Sequence, residues 1–146
     1  MQRRNKDKLV RMVDFMFSHM EAIKRAVKEK REDNIRAGAK MTISAGHISD
    51  PTARKALQNM TELAAVTLEN GSTVQYPERW IQVYDSVYKW CDERKKLIMR
   101  ERYSGKDYVQ TCSQHFISSN AYHTAIREIR YRAVAGAAQL QLLTVV

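Results

Sequence analysis

Ser104 to Gln139 reads SGKDYVQTCSQHFISSNAYHTAIREIRYRAVAGAAQ, and this stretch decides the fold. It divides into a short helical piece from Asp107 to Phe116, a break at Ile117-Ser118, and a longer helix from Ser119 onward. A serine hydroxyl at 118 or 119 can accept from the free N–H groups of a first helical turn, so either residue is a natural cap. In the first piece Val109, Cys112 and Phe116 recur at helical spacing, with Tyr108 close to the same face. In the second, Ala121, Tyr122, Ala125, Ile129 and Ala133 do the same, which leaves Asn120, His123, Thr124, Arg127 and Arg130 on other faces. Ile117 places one apolar side chain in the turn, where burial would hold the two helices across each other. Two helices, a tight turn and a polar outer face describe a helix-turn-helix. Its second helix can enter a DNA major groove with its N-terminal residues against base edges. A plain αα-hairpin carries the same pattern.

Composition narrows the partners. The chain has 146 residues, the size of one domain or of one small domain with a helical arm. A hydrophobic share of 44% suffices for a core, and five Gly with two Pro impose few breaks on a sequence rich in helix formers. The formal charge of +9 favours a polyanion, nucleic acid before membrane surface. Cys91 and Cys112 make no disulfide framework and no signal peptide precedes them, so the chain reads as cytoplasmic with reduced thiols. No apolar run approaches the roughly 18 residues that span a bilayer. The apolar tail from Leu140 to Val146 is short and interrupted by Gln141.

Upstream, a first helix is expected from about Lys6 to Asp33. Leu9, Val13, Met16, Met20, Ile23 and Val27 alternate in steps of four and three, a heptad seam suited to an oligomer interface. Met12 and Phe17 widen it, so docking on Trp80 and Tyr84 in the same chain is the other reading. The outer faces carry Arg11, Lys24, Arg25, Lys28, Lys30 and Arg31, a solvated charged surface. Arg36 to His47 holds two glycines and no period, and reads as a linker. Ser49-Asp50-Pro51 opens a second helix with a stripe of Ala53, Ala56, Leu57, Met60, Leu63, Ala64 and Thr67, stopped at Asn70-Gly71. After Tyr76-Pro77, a third helix gathers Trp80, Val83, Tyr84, Val87, Tyr88 and Cys91, with Trp90 off the stripe. A fourth, Asp92 to Tyr103, turns Leu97 and Ile98 inward and its Lys and Arg residues outward. The expected organisation is an N-terminal helix over residues 1–35, a linker over 36–48, and a helical domain over 49–146. The helix-turn-helix would occupy about 107–138 of an all-α fold.

Catalytic patterns are missing. Cys112-x-x-His115 puts two metal ligands on one helix face, with Cys91 and His123 as further donors, but structural zinc draws paired ligands from two such clusters. His19, His47, His115 and His123 are scattered, and no strand-turn-helix presents a serine. No glycine-rich phosphate loop follows a strand. The chain reads as non-enzymatic, with neither cofactor nor metal.

The segment KKLIMRERYSGKDYVQTCSQHFISSNAYHTAIREI resembles the C-terminal part of the RinA/ArpU-type phage late-gene transcriptional regulators, themselves similar to the helix-turn-helix of sigma factor region 4. The resemblance rests on Leu97-Ile98 before Arg102-Tyr103, a short Gly-containing loop, Val109 and Cys112, Ile117-Ser118, Tyr122 and Ile129. It covers about the last third of the chain, and Ser49-Asp50-Pro51-Thr52 with Ala56-Leu57 adds a weaker match upstream. The family often carries a basic residue just after the serine of the turn; here Ser119-Asn120 stands there. The resemblance implies a DNA-binding activator of phage or prophage late genes that recruits host RNA polymerase. Asn120, His123, Thr124 and Arg127 are the expected base readers, Asn suiting adenine and Arg guanine. Arg102, Lys106, Ser118, Ser119, Arg130 and Arg132 are the expected phosphate contacts. Two other readings stay open: a small terminase-like subunit that recognises a packaging site, and a helical adaptor that binds protein without DNA.

Overall fold

The computed structural model describes residues 2–44 and 61–143. The chain is mostly helical. In order come α1 (Gln2–Ser18), α2 (Met20–Ser44), β1 (Ala65–Thr67), β2 (Thr73–Gln75), α3 (Pro77–Trp90), α4 (Glu93–Tyr103), α5 (Tyr108–His115) and α6 (Ser119–Gln139). They form two compact units, one from the chain up to Met20 and from Arg79 onward, the other from Glu21 to Glu78.

Several expectations need correction. The single first helix is interrupted at His19, whose backbone N–H and ring Nδ1 both lie within bonding distance of the Phe15 carbonyl, at 3.1 and 2.8 Å. The expected linker is helical as far as Ser44, because Arg, Ala, Lys and Met around Gly38 favour helix by more than one glycine costs. Its last residues, 45–48, and the expected helix start at Ser49-Asp50-Pro51 lie outside the described residues. Where that second helix was expected to end, the chain is extended instead. Val66 pairs with Val74 and Thr67 with Thr73 in a two-stranded antiparallel sheet. β-Branched residues beside an Asn-Gly turn favour a hairpin over a helix end. Gly71 takes φ +87, Leu68 N–H bonds Ser72 O at 2.8 Å, and Asn70 Oδ1 accepts from Ser72 N–H at 2.9 Å.

In the 21–78 unit, Leu63, Val66, Leu68 and Val74 are buried while their strand neighbours face out. Glu78 fastens this unit: its Oε1 accepts from Arg31 at 2.5 Å and from the Leu63 N–H at 3.1 Å. Arg31, expected on a solvated face, is thus an internal tie.

The larger unit positions the site. α1 packs on α4 and α6, and α5 packs on both α4 and α6. Phe17 lies edge-on between Tyr84 and Tyr103, with ring centroids at 5.1 and 5.3 Å. Trp80, Val83 and Val87 form the buried face of α3, as their spacing predicts, and Cys91, just past its end, is buried too. Of the proposed oligomer seam, Val13, Met20 and Ile23 are buried within the chain, and Leu9, Met16 and Val27 are half-buried. α1 therefore lies in the same compact unit as α4, α5 and α6, where a separate N-terminal helix over 1–35 was expected.

Candidate nucleic-acid interface

Ile98 of α4, Ile117 of the turn, and Tyr122, Ala125 and Ile126 of α6 form one buried cluster, with Leu97, Cys112 and Ala121 against it. This cluster sets how α5 and α6 cross, and Ile117 holds the place its sequence position predicts. Ser118 caps α6, its Oγ accepting from the Ala121 N–H at 3.1 Å. α5 ends at Phe116, which adopts a left-handed φ of 55 and sends an N–H to the Cys112 carbonyl.

The inner face of this helix differs from the one expected. Phe116 is 97% exposed and Val109 54%, whereas Thr111 is wholly buried and Cys112 half-buried. A helix end in the left-handed region swings the next side chain off the preceding face, so extrapolating the helical spacing past His115 fails at Phe116.

An anion-centred network seats the loop before α5. Glu101 Oε1 lies 3.1 Å from Lys106 Nζ and 2.7 Å from His115 Nε2. Burial by itself would raise the Glu101 carboxyl, but hydrogen bonds from Thr111, His115 and Lys106 outweigh it and hold the group down at about 2. Lys106 also reaches Gln114 Oε1.

A second network joins α1 to α6. Arg130 Nε and Nη2 donate to Asp14 Oδ1 and Oδ2 at 3.1 and 2.6 Å, and the Tyr103 hydroxyl donates to Oδ1 at 3.0 Å. Burial, then the charge of Asp14, pushes the Tyr103 hydroxyl up, so it remains a donor.

The proposed readers now have places. Asn120, Thr124 and Arg127 are exposed near the start of α6. His123 is exposed too, but its ring rests against Tyr108 and Tyr122, at 5.0 and 5.4 Å between centroids. The proposed phosphate contacts do not form one set. Ser119 is exposed and Arg102 half-buried, while the Ser118 hydroxyl is used as the cap. Arg130 is bonded to Asp14, and Lys106 is tied to Glu101. Arg132 lies over the Trp90 ring at 4.2 Å, with Lys95 4.6 Å from the same ring centroid. Among the described residues no three His, Cys, Asp or Glu side chains gather as a metal site, and no helix is long and apolar enough to cross a membrane.

No family model matches the chain, and neither curated proteins nor solved structures give a match.

Proposed function

We propose that this chain binds duplex DNA in a sequence-dependent way through α6 and regulates transcription, in the manner the RinA/ArpU resemblance implies. The observation that carries the reading is the exposed row Asn120, Thr124, Arg127 on a helix whose opposite side is locked by Ile98, Ile117 and Ile126. Base reading requires side chains with paired donors and acceptors on a rigid support, and Asn and Arg supply the two commonest pairings, to adenine and to guanine. The formal charge of +9 supplies the sequence-independent attraction that precedes base reading. Recruitment of host RNA polymerase would complete an activator. Any doubling of the reader on a repeated site must use a surface other than Val13, Met20 and Ile23, since these are buried within the chain.

Selection from a random duplex library tests the reading. Enrichment of a common site is expected, with Arg127→Ala relaxing one base position at a cost of about 1–3 kcal/mol. An unenriched library together with a bound host polymerase subunit would favour the adaptor. A ring-sized oligomer that captures a packaging ATPase would favour the terminase-like subunit.

A further inference from the structure

The start of α1 runs beside the proposed reading helix. Lys6, Leu9 and Val10 line one side of a groove of about 1060 Å³, and His123, Arg127 and Tyr131 of α6 line another, with Arg102 between the two helices. That volume far exceeds the voids left by side-chain packing, so the groove is a built surface feature.

The charges along it are uneven. Of the α1 cations Lys6 lines it, and Arg3, one turn earlier, falls on the same face of the helix; both are exposed, and neither has an ion-pair partner among the described residues. Arg102 and Arg127 add two cations from across the groove. Asp7 is the one carboxylate of α1 that lines it; Glu128, the other carboxylate there, is held by Lys95 at 2.8 Å.

A helix seated in the major groove of DNA nearly fills its width, so a sugar-phosphate strand runs along each side of it. Whatever packs beside such a helix meets that strand. We infer that the start of α1 is a phosphate-holding edge of the interface, with Arg3 and Lys6 gripping the backbone that flanks α6. This rests on the reading of α6 as a DNA-binding helix. The edge carries no base preference, because phosphates are the same at every step.

The experiment measures affinity of the full chain for a labelled 30-base-pair duplex of random sequence across a salt series. Changing Arg3 and Lys6 together to Gln should flatten the slope of log K against log salt by up to about 1.8 units, about 0.9 per contact. Asp7→Asn should tighten binding several-fold. Lys28→Gln with Lys30→Gln, on the exposed face of α2, should leave the slope unchanged. Circular dichroism should report unaltered helix in all three. A steep slope in the unaltered chain that survives the double change overturns the inference and leaves the α6 reading intact. An equal loss from the α2 pair also overturns it, since attraction would then be a matter of net charge. If the unaltered chain shows no salt-dependent affinity at all, the α6 reading falls and this inference with it.

Discussion

Asp14 and Arg130 lie 116 positions apart and meet in a two-pronged ion pair that locks α1 onto α6. The carboxylate also receives the Tyr103 hydroxyl, so its two oxygens serve three donors. Both side chains are about a quarter exposed, which tempers the desolvation of either. Arg130→Ala should therefore cost about 1.5–3 kcal/mol by thermal unfolding, and Tyr103→Phe nearer 1. The same Arg130→Ala protein should keep the salt slope of DNA binding. An unchanged melting temperature with a flatter slope would return Arg130 to the phosphate set.

Tyr122 is wholly buried, and its hydroxyl finds no hydrogen-bond partner among the described residues. A buried orphan hydroxyl costs roughly 1–3 kcal/mol of desolvation. Tyr122→Phe keeps the ring among Ile98, Ile117 and Ala125 and removes that cost. The variant should melt higher than the native chain. A lower melting point would mean that the hydroxyl is satisfied in solution, by water for instance.

Acid should weaken the packing of α5 on α4 through Glu101. Its carboxyl falls from 4.5 to about 2 in the folded chain, so the folded state binds the proton more weakly than the unfolded. The stability it contributes is complete above about pH 4.5 and is lost as pH falls through about 2. Glu101→Gln should lower stability at neutral pH and flatten the acid limb between those values. A titration of unfolding by urea at several pH values reads this directly, and parallel curves for both proteins would refute it.

Phe116 holds a left-handed backbone that favours glycine, and its ring is almost fully in solvent. Phe116→Gly relieves the strain and loses little packing, so stability should rise by roughly 0.5–1 kcal/mol, the larger unfolded-state entropy of glycine limiting the gain. A fall of more than 1 kcal/mol in denaturant unfolding would show that the ring is packed after all.

The α1–α2 seam gives a sharper test than its spacing did. Val13 and Ile23 are fully buried, so Val13→Glu or Ile23→Glu should unfold the unit concerned and not merely split an oligomer. Light scattering together with circular dichroism separates the outcomes. A folded monomer from either variant would restore the oligomer reading.

What could be read from residues alone was the part governed by local rules. The break at Ile117-Ser118, the Ser118 cap and the apolar face of α3 follow from spacing and from hydroxyl chemistry. The hairpin was legible but misread, because Leu63, Ala64 and Thr67 also fit a helical stripe; the β-branched pairs Val66–Val74 and Thr67–Thr73 across Asn70-Gly71 decide it. Phe116 escaped because one left-handed residue breaks the periodicity that reveals a helix face. The bonds of Asp14 with Arg130, and of Glu101 with His115, leave no mark on spacing. Long-range polar pairs depend on how helices pack, and among 25 Lys and Arg and 16 Asp and Glu residues nothing local singles out the partners.

The larger unit is assembled from both sides of the 21–78 unit, and this carries a cost in time. During synthesis Val13 and Phe17 leave the ribosome well before Tyr84, Tyr103 and Arg130 exist to cover them. Their apolar face then waits, uncovered, while the intervening residues are made, at about 5–20 residues per second. Closing such distant contacts is slow compared with forming a helix, so the nascent chain passes through a stage in which the 21–78 unit can form while α1 has no seat. A chaperone that shields α1 during that interval would raise the yield of folded protein. A fragment that starts at Arg79 would lack the Asp14 carboxylate and the Phe17 ring, and would leave Tyr103 and Arg130 facing water.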